Sequence, residues 1–77
     1  MAILKTAFGA TVRRLRIQRG MSQETLAELA GVSRNFEGSV ERGESSLSLD
    51  AAERLAHALG VRLSEIISAA ERDAGSA

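Results

Sequence analysis

The stretch from Gln23 to Val40, QETLAELAGVSRNFEGSV, constrains this chain more than any other. It reads as two short helices joined by a tight turn. Leu26 and Leu29 stand three apart and Ala30 follows four after Leu26, which predicts one apolar face on the earlier helix. Ala27 opposes them with the smallest side chain, where another helix can cross closely. Gly31 falls where a helix C-terminus wants a left-handed residue, which glycine supplies without a Cβ clash. Val32 is the expected apolar plug of the turn, and Ser33 the N-cap of the next helix. That helix, Arg34 to Arg42, is expected to present Arg34, Asn35 and Ser39 outward.

The rest of the chain repeats the same grammar. Leu4, Phe8, Val12 and Leu15 predict a first helix from about Lys5 to Arg19, with residues 1–3 frayed. Arg13, Arg14 and Arg16 fall largely off that stripe. Gly20 ends the helix, Ser22 caps the next, and Gln23 sits in its first turn, pointing outward. Gly43 ends the third helix, and Glu44 to Leu47 form a polar loop. Ser48 caps a fourth helix whose inner face is Ala52, Leu55, Ala56 and Leu59. A fifth carries Leu63, Ile66, Ile67 and Ala70, before a patternless tail, Arg72 to Ala77. The expectation is an all-α fold of five helices in one domain, 1–77.

Seventy-seven residues bury only about 60% of their unfolded surface, so such a domain is marginal alone. Of the 44% hydrophobic residues, 13 are alanine, leaving 21 bulky apolar side chains for a core. There is no cysteine, so neither a disulfide nor a thiolate-held metal supplements it. Dimerisation is the remaining support. Phe8 and Phe36 are the only aromatics, which argues against base stacking on single strands or RNA. The net charge of zero conceals an asymmetry: residues 1–42 carry +3 and residues 43–77 carry −3. A basic half and an acidic half suit a small module with a nucleic-acid face and a solvent or partner face.

The two-helix unit matches a helix-turn-helix, whose second helix enters the DNA major groove. With RNFEGSVERGE and LSLDAAERLAHALGV following it, the chain resembles the phage repressor/Cro-like (XRE) helix-turn-helix family. In pattern it is most similar to the controller proteins of restriction–modification operons. The resemblance covers roughly residues 8 to 70 and implies a five-helix, lambda-repressor-like DNA-binding domain. It also implies a homodimer on a pseudo-palindromic operator, with RNA polymerase as a further partner.

Arg34 and Asn35 occupy the leading end of the recognition helix, where arginine can pair with guanine and asparagine with adenine. Ser39 is the third candidate for base contact, and Gly38 beside it suggests a close approach. Gln23, Ser33, Phe36, Arg42 and Ser46 are the candidates for the DNA backbone, Gln23 through a helix start that suits a phosphate. Larger polar residues are common in controller-like sequences where Ser45 and Ser46 stand, which implies weaker backbone attachment here. The resemblance also implies a salt bridge between Arg16 and Glu41 that orients the recognition helix. Leu63, Ile66, Ile67 and Ala70 are the expected dimer interface.

Glu37 departs from the pattern, which wants an apolar residue on the inward face of the recognition helix. A carboxylate there must snorkel, find a cation, or be buried protonated with a raised pKa. The expectation is that Glu37→Val raises stability and leaves DNA binding intact.

His57 stands alone, the acids are scattered, and neither a nucleophile elbow nor a phosphate-binding glycine loop is present. The chain therefore reads as a binding protein, not an enzyme, with no cofactor and no metal. Nothing approaches a membrane span or a signal peptide, so a cytoplasmic place at the nucleoid is expected. The favoured function is sequence-specific regulation of transcription. The alternatives are an antitoxin-like interaction module using the acidic half, and a helical structural protein.

Overall fold

The structure, a computed structural model, describes residues 3–75. Five helices follow one another: α1 (Leu4–Gln18), α2 (Gln23–Ala30), α3 (Arg34–Glu41), α4 (Leu49–Ala58) and α5 (Leu63–Gly75). Their starts are written in the sequence. Ser22, Ser33 and Ser48 each precede a helix in extended conformation and accept a hydrogen bond from the amide three residues on. Each satisfies one of the donors that a helix N-terminus leaves orphaned. At α5 the Glu65 carboxylate does the related job, accepting from the Arg62 amide at 2.9 Å.

α1 packs against α5 and α3, α2 against α4 and α3, and α4 against α5. Phe8, Val12, Leu26, Val40, Leu55, Leu59 and Ile66 meet at the centre, with Ala30, Ala52, Ala56 and Ala70 between them. The many alanines thus bring the helices close, while few bulky side chains remain to fill the middle. Arg19 closes one corner, donating from Nε to the Leu59 carbonyl at 2.6 Å. A cation at the C-terminus of α4 suits both its unpaired carbonyls and its dipole.

Several expectations need correction. Leu29 is 60% exposed, because the inward face of α2 runs through Leu26, Ala27 and Ala30 instead. Leu4 is also exposed, lying in the first turn of α1 outside the core. Ile3 is the N-cap of α1, its carbonyl accepting from the Ala7 amide at 2.9 Å, while positions 1–2 lie outside the described residues. The supposed tail from Arg72 is helical as far as Gly75, with 76–77 again outside the described residues. Arg14 on α1 stands 3.9 Å from Asp73 in that last part of α5.

The expected dimer interface is corrected as well. Ile66 and Ala70 are fully buried, spent on the core of one chain against α1 and α4, and cannot face a second copy. Leu63 and Ile67 are half-buried on the edge of that core. Ile67 continues outward into an apolar groove with Leu4, Leu47 and Leu49, and Leu49 is 79% exposed. No helix among the described residues is long and apolar enough to cross a membrane.

Candidate nucleic-acid interface

α2 ends at Gly31, whose φ of 71° is the left-handed conformation the turn requires. The Val32 amide bonds back to the Ala27 carbonyl at 3.0 Å, and Val32 packs on the core, so the turn is fixed at both levels. Ser33 then starts α3, accepting from the Phe36 amide at 3.0 Å. Arg34 and Asn35, next along, are exposed, and neither side chain hydrogen-bonds to another described residue. Their guanidinium and carboxamide stand at the leading end of the helix. The Ser33 oxygen is used as an acceptor, which leaves its O–H proton for an outside oxygen such as a phosphate.

The trailing end of α3 is held firmly. Arg16 donates from Nε to Glu41 Oε2 at 2.6 Å and from Nη2 to Oε1 at 3.1 Å. Its Nη1 donates to the Met21 carbonyl at 2.8 Å, and Gln23 Nε2 donates to Glu41 Oε1 at 3.2 Å. The side chains of Arg16 and Glu41 are only 12% and 2% exposed. The bond to Glu41 holds the guanidinium firmly protonated, against the opposing effect of burial. Burial alone would raise Glu41, but Arg16, the Glu37 carboxyl and Gln23 together hold it below the usual carboxylate range. One cluster therefore ties α1, the start of α2 and the end of α3 together.

A second contact, between α1 and α3, went unnoticed in the sequence. Gly9 is buried, and a Cβ there would lie 2.0 Å from the Val40 carbonyl oxygen. Gly43, with φ 74°, likewise sits against Thr6, where a Cβ would lie 2.9 Å from Oγ1 and 3.0 Å from Cα. Glycine inside a helix is costly, and that cost was the available signal of a close crossing.

Other expected contact residues are turned inward. Gln23 is half-buried, one amide hydrogen committed to Glu41 rather than pointing outward. Ser39 is half-buried too, its hydroxyl donating to the Phe36 carbonyl at 2.8 Å and hydrogen-bonded to the Ser45 hydroxyl. Ser39 and Ser45 thus pin the loop onto α3, and no hydroxyl proton of Ser39 is left for a base. The groups beside Gly38 are this protein's own side chains, the nearer one the movable end of exposed Arg42. A Cβ there would lie 3.2 Å from Arg42 Nη1 and 3.7 Å from Gln23 Oε1. Phe36 packs its ring against the core, a different place from the backbone-facing one expected. Arg42 is exposed and shares its charge with Glu44 at 3.1 Å, and Ser46 is exposed on the same loop.

Glu37 occupies the inward position that calls for an apolar side chain. It is 0% exposed, so it does not snorkel, and no donor of a neighbouring residue reaches either carboxyl oxygen. Protonated, it can donate to Glu41. Burial, reinforced by the neighbouring Glu41, pushes its pKa from 4.5 up to about 8. It is therefore largely a neutral acid near pH 7.

A helix-turn-helix family model (HTH_3) matches residues 12–66. The chain is 36% identical over 64 residues to the cryptic phage CTXphi transcriptional repressor RstR of Vibrio cholerae, and spans 58% of its length. It is 35% identical over 65 residues to the control protein C.BamHI of Bacillus amyloliquefaciens, covering 83% of this chain and 80% of that protein. The crystal structure of the restriction–modification controller protein C.AhdI from Aeromonas hydrophila superposes with a TM-score of 0.80 at 44% identity. That superposition covers 86% of this chain and 98% of the other.

Proposed function

The chain belongs to the helix-turn-helix (HTH_3) family and is a DNA-binding transcriptional regulator, and we propose that it acts as a homodimer on a pseudo-palindromic operator. The relatives named control proteins of restriction–modification systems support control of such an operon as its task. The observation that carries the DNA reading is the exposed Arg34–Asn35 tip of α3, on a helix whose other end is clamped. In this reading Arg34 and Asn35 contact base edges, each pairing worth about 1–3 kcal/mol of discrimination. The Ser33 hydroxyl, Arg42, Ser46 and the free amides opening α2 meet phosphates. Gln23 and the Arg16–Glu41 pair orient α3 from behind.

The second copy is best placed over the groove of Leu4, Leu47, Leu49 and Ile67, which an isolated chain leaves in water. To serve one operator, a two-fold contact there has to set the two copies of α3 about 34 Å apart, one turn of duplex. RNA polymerase is the partner such a dimer would block or recruit, and the protein itself performs no chemistry. Selection of bound duplexes from a random pool, followed by footprinting, tests the proposal. Recovery of a palindrome with two protected half-sites one turn apart is expected, and a pool that stays random overturns it.

A further inference from the structure

Among the described residues, the carboxyl oxygens of Glu37 are the buried side-chain polar atoms that no donor reaches. Only as a neutral acid can Glu37 make a hydrogen bond there, to Glu41. Glu41, the acid one helical turn later, takes the nearby donors: two from Arg16 and one from Gln23. Arg16 has its remaining bond on the Met21 carbonyl. Two acids therefore share one buried cation.

The balance of charge is simple. With Glu37 neutral, Arg16 and Glu41 cancel and α3 rests on a largely buried seat of no net charge. With Glu37 ionised, the seat carries a net negative charge with no water to hydrate it. The charged groups acting on Glu37 are Arg16 from α1, and Glu41 and Arg34 from α3 itself. From α2 the facing polar group is Gln23, already bonded to Glu41, while Glu24 and Glu28 are exposed. On α1, Lys5 and Arg13 are exposed as well. Arg34 is exposed at the leading end, where water weakens its help. Relief requires α3 to lift from α1 and α2, or Arg16 to leave Glu41.

We propose that Glu37 is a positioning residue whose neutral carboxyl keeps the recognition helix seated, and that its ionisation unlatches α3 as the solution turns alkaline. The helix has eight residues and packs mainly on α1 and α2, so it can open while α4 and α5 stay folded. Loss of DNA binding follows from the opening and rests on the reading of α3 as the recognition helix. The opening itself does not.

The test uses the full chain and its Glu37→Gln variant, which keeps the shape and removes the ionisation. Amide hydrogen exchange, corrected for the intrinsic effect of pH, is followed in α3 and in α4 between about pH 6.5 and about pH 9. Protection in α3 is expected to fall about tenfold in the parent, with α4 unchanged and the variant flat. An equal fall in parent and variant, or none in the parent, overturns the proposal. Should the variant fail to fold, carbon-13 titration of the parent's Glu37 carboxyl decides alone: a midpoint in the ordinary carboxylate range overturns it, an alkaline one supports it. Retention of a random-sequence duplex of about 30 base pairs is measured alongside. If exchange behaves as expected and the duplex is retained at no pH, the DNA reading fails and the latch stands.

Discussion

Gly9 of α1 faces the Val40 carbonyl of α3 so closely that a methyl group would stand 2.0 Å from that oxygen. The recognition helix therefore rests against main chain, with no side chain between to adjust. Gly9→Ala must push the two helices apart, and overpacking of this kind costs about 1–3 kcal/mol. A thermal melt should show the loss, and duplex retention at fixed salt should fall with it. An unchanged melting temperature would mean that the helices separate at no cost.

Removing the cation behind α3 should be worse than removing an exposed one. Arg16→Ala strands the Glu41 carboxylate in a site where it is 2% exposed, at a cost of about 3–5 kcal/mol. Arg42→Ala breaks an exposed pair with Glu44 worth about 0–1 kcal/mol. Urea denaturation of the two variants side by side checks the ordering.

Stability should depend on pH in both directions. Between 4.5 and about 8 the folded chain holds a proton on Glu37 that the unfolded chain has released. That contribution is complete below the lower value and is lost as pH rises through the upper one, at up to about 1.4 kcal/mol per unit. Glu41, held low, acts oppositely: its contribution is present above its ordinary value and lost as pH falls through its lowered one. Maximum stability is thus expected on the acid side of neutral. Glu37→Val should remove the decline between 4.5 and about 8 and leave the acid limb, in chemical denaturation repeated across pH.

The tip and the flank of α3 should affect duplex binding differently. Asn35→Ala is expected to relax discrimination at one base pair by about 1–3 kcal/mol while leaving the salt dependence alone. Arg42→Ala should weaken all sequences equally and reduce the log–log salt slope by about one. Titrations of a selected and a scrambled duplex at several salt concentrations separate the two behaviours.

Charge in the groove should dissociate the proposed dimer. Leu49→Glu removes an apolar side chain that is 79% exposed in the single chain, so the isolated fold should tolerate it. Sedimentation equilibrium should then show monomers, with the helical circular dichroism retained. Leu29→Glu, exposed on α2 away from the groove, is the control that should leave the association unchanged.

Helix starts and stops are legible where serine caps and glycine stops act locally, and those ends lie within a residue or two of expectation, whereas α5, with no such stop at Arg72, runs on to Gly75. The Arg16–Glu41 contact was reached through the family resemblance, since spacing alone says nothing about residues 25 apart. Side-chain direction was harder. Ser39 and Gln23 look like surface contacts in the sequence, yet hydrogen bonds to Ser45 and Glu41 turn them inward. Ile66 and Ala70 look available to a partner in the sequence, yet a core poor in bulky residues takes them both. Gly9 carried a readable signal, a glycine inside a helix, whose meaning depended on a strand of chain more than 30 residues away.

The clamp at Glu41 and the bare tip at Arg34 sit at opposite ends of one eight-residue helix. In the proposed reading, what the protein touches and what holds it upright are handled by different side chains. If Arg34 and Asn35 read the bases as proposed, two codons would rewrite the address while the mounting stays as it is, and a new operator would not first demand a damaged fold.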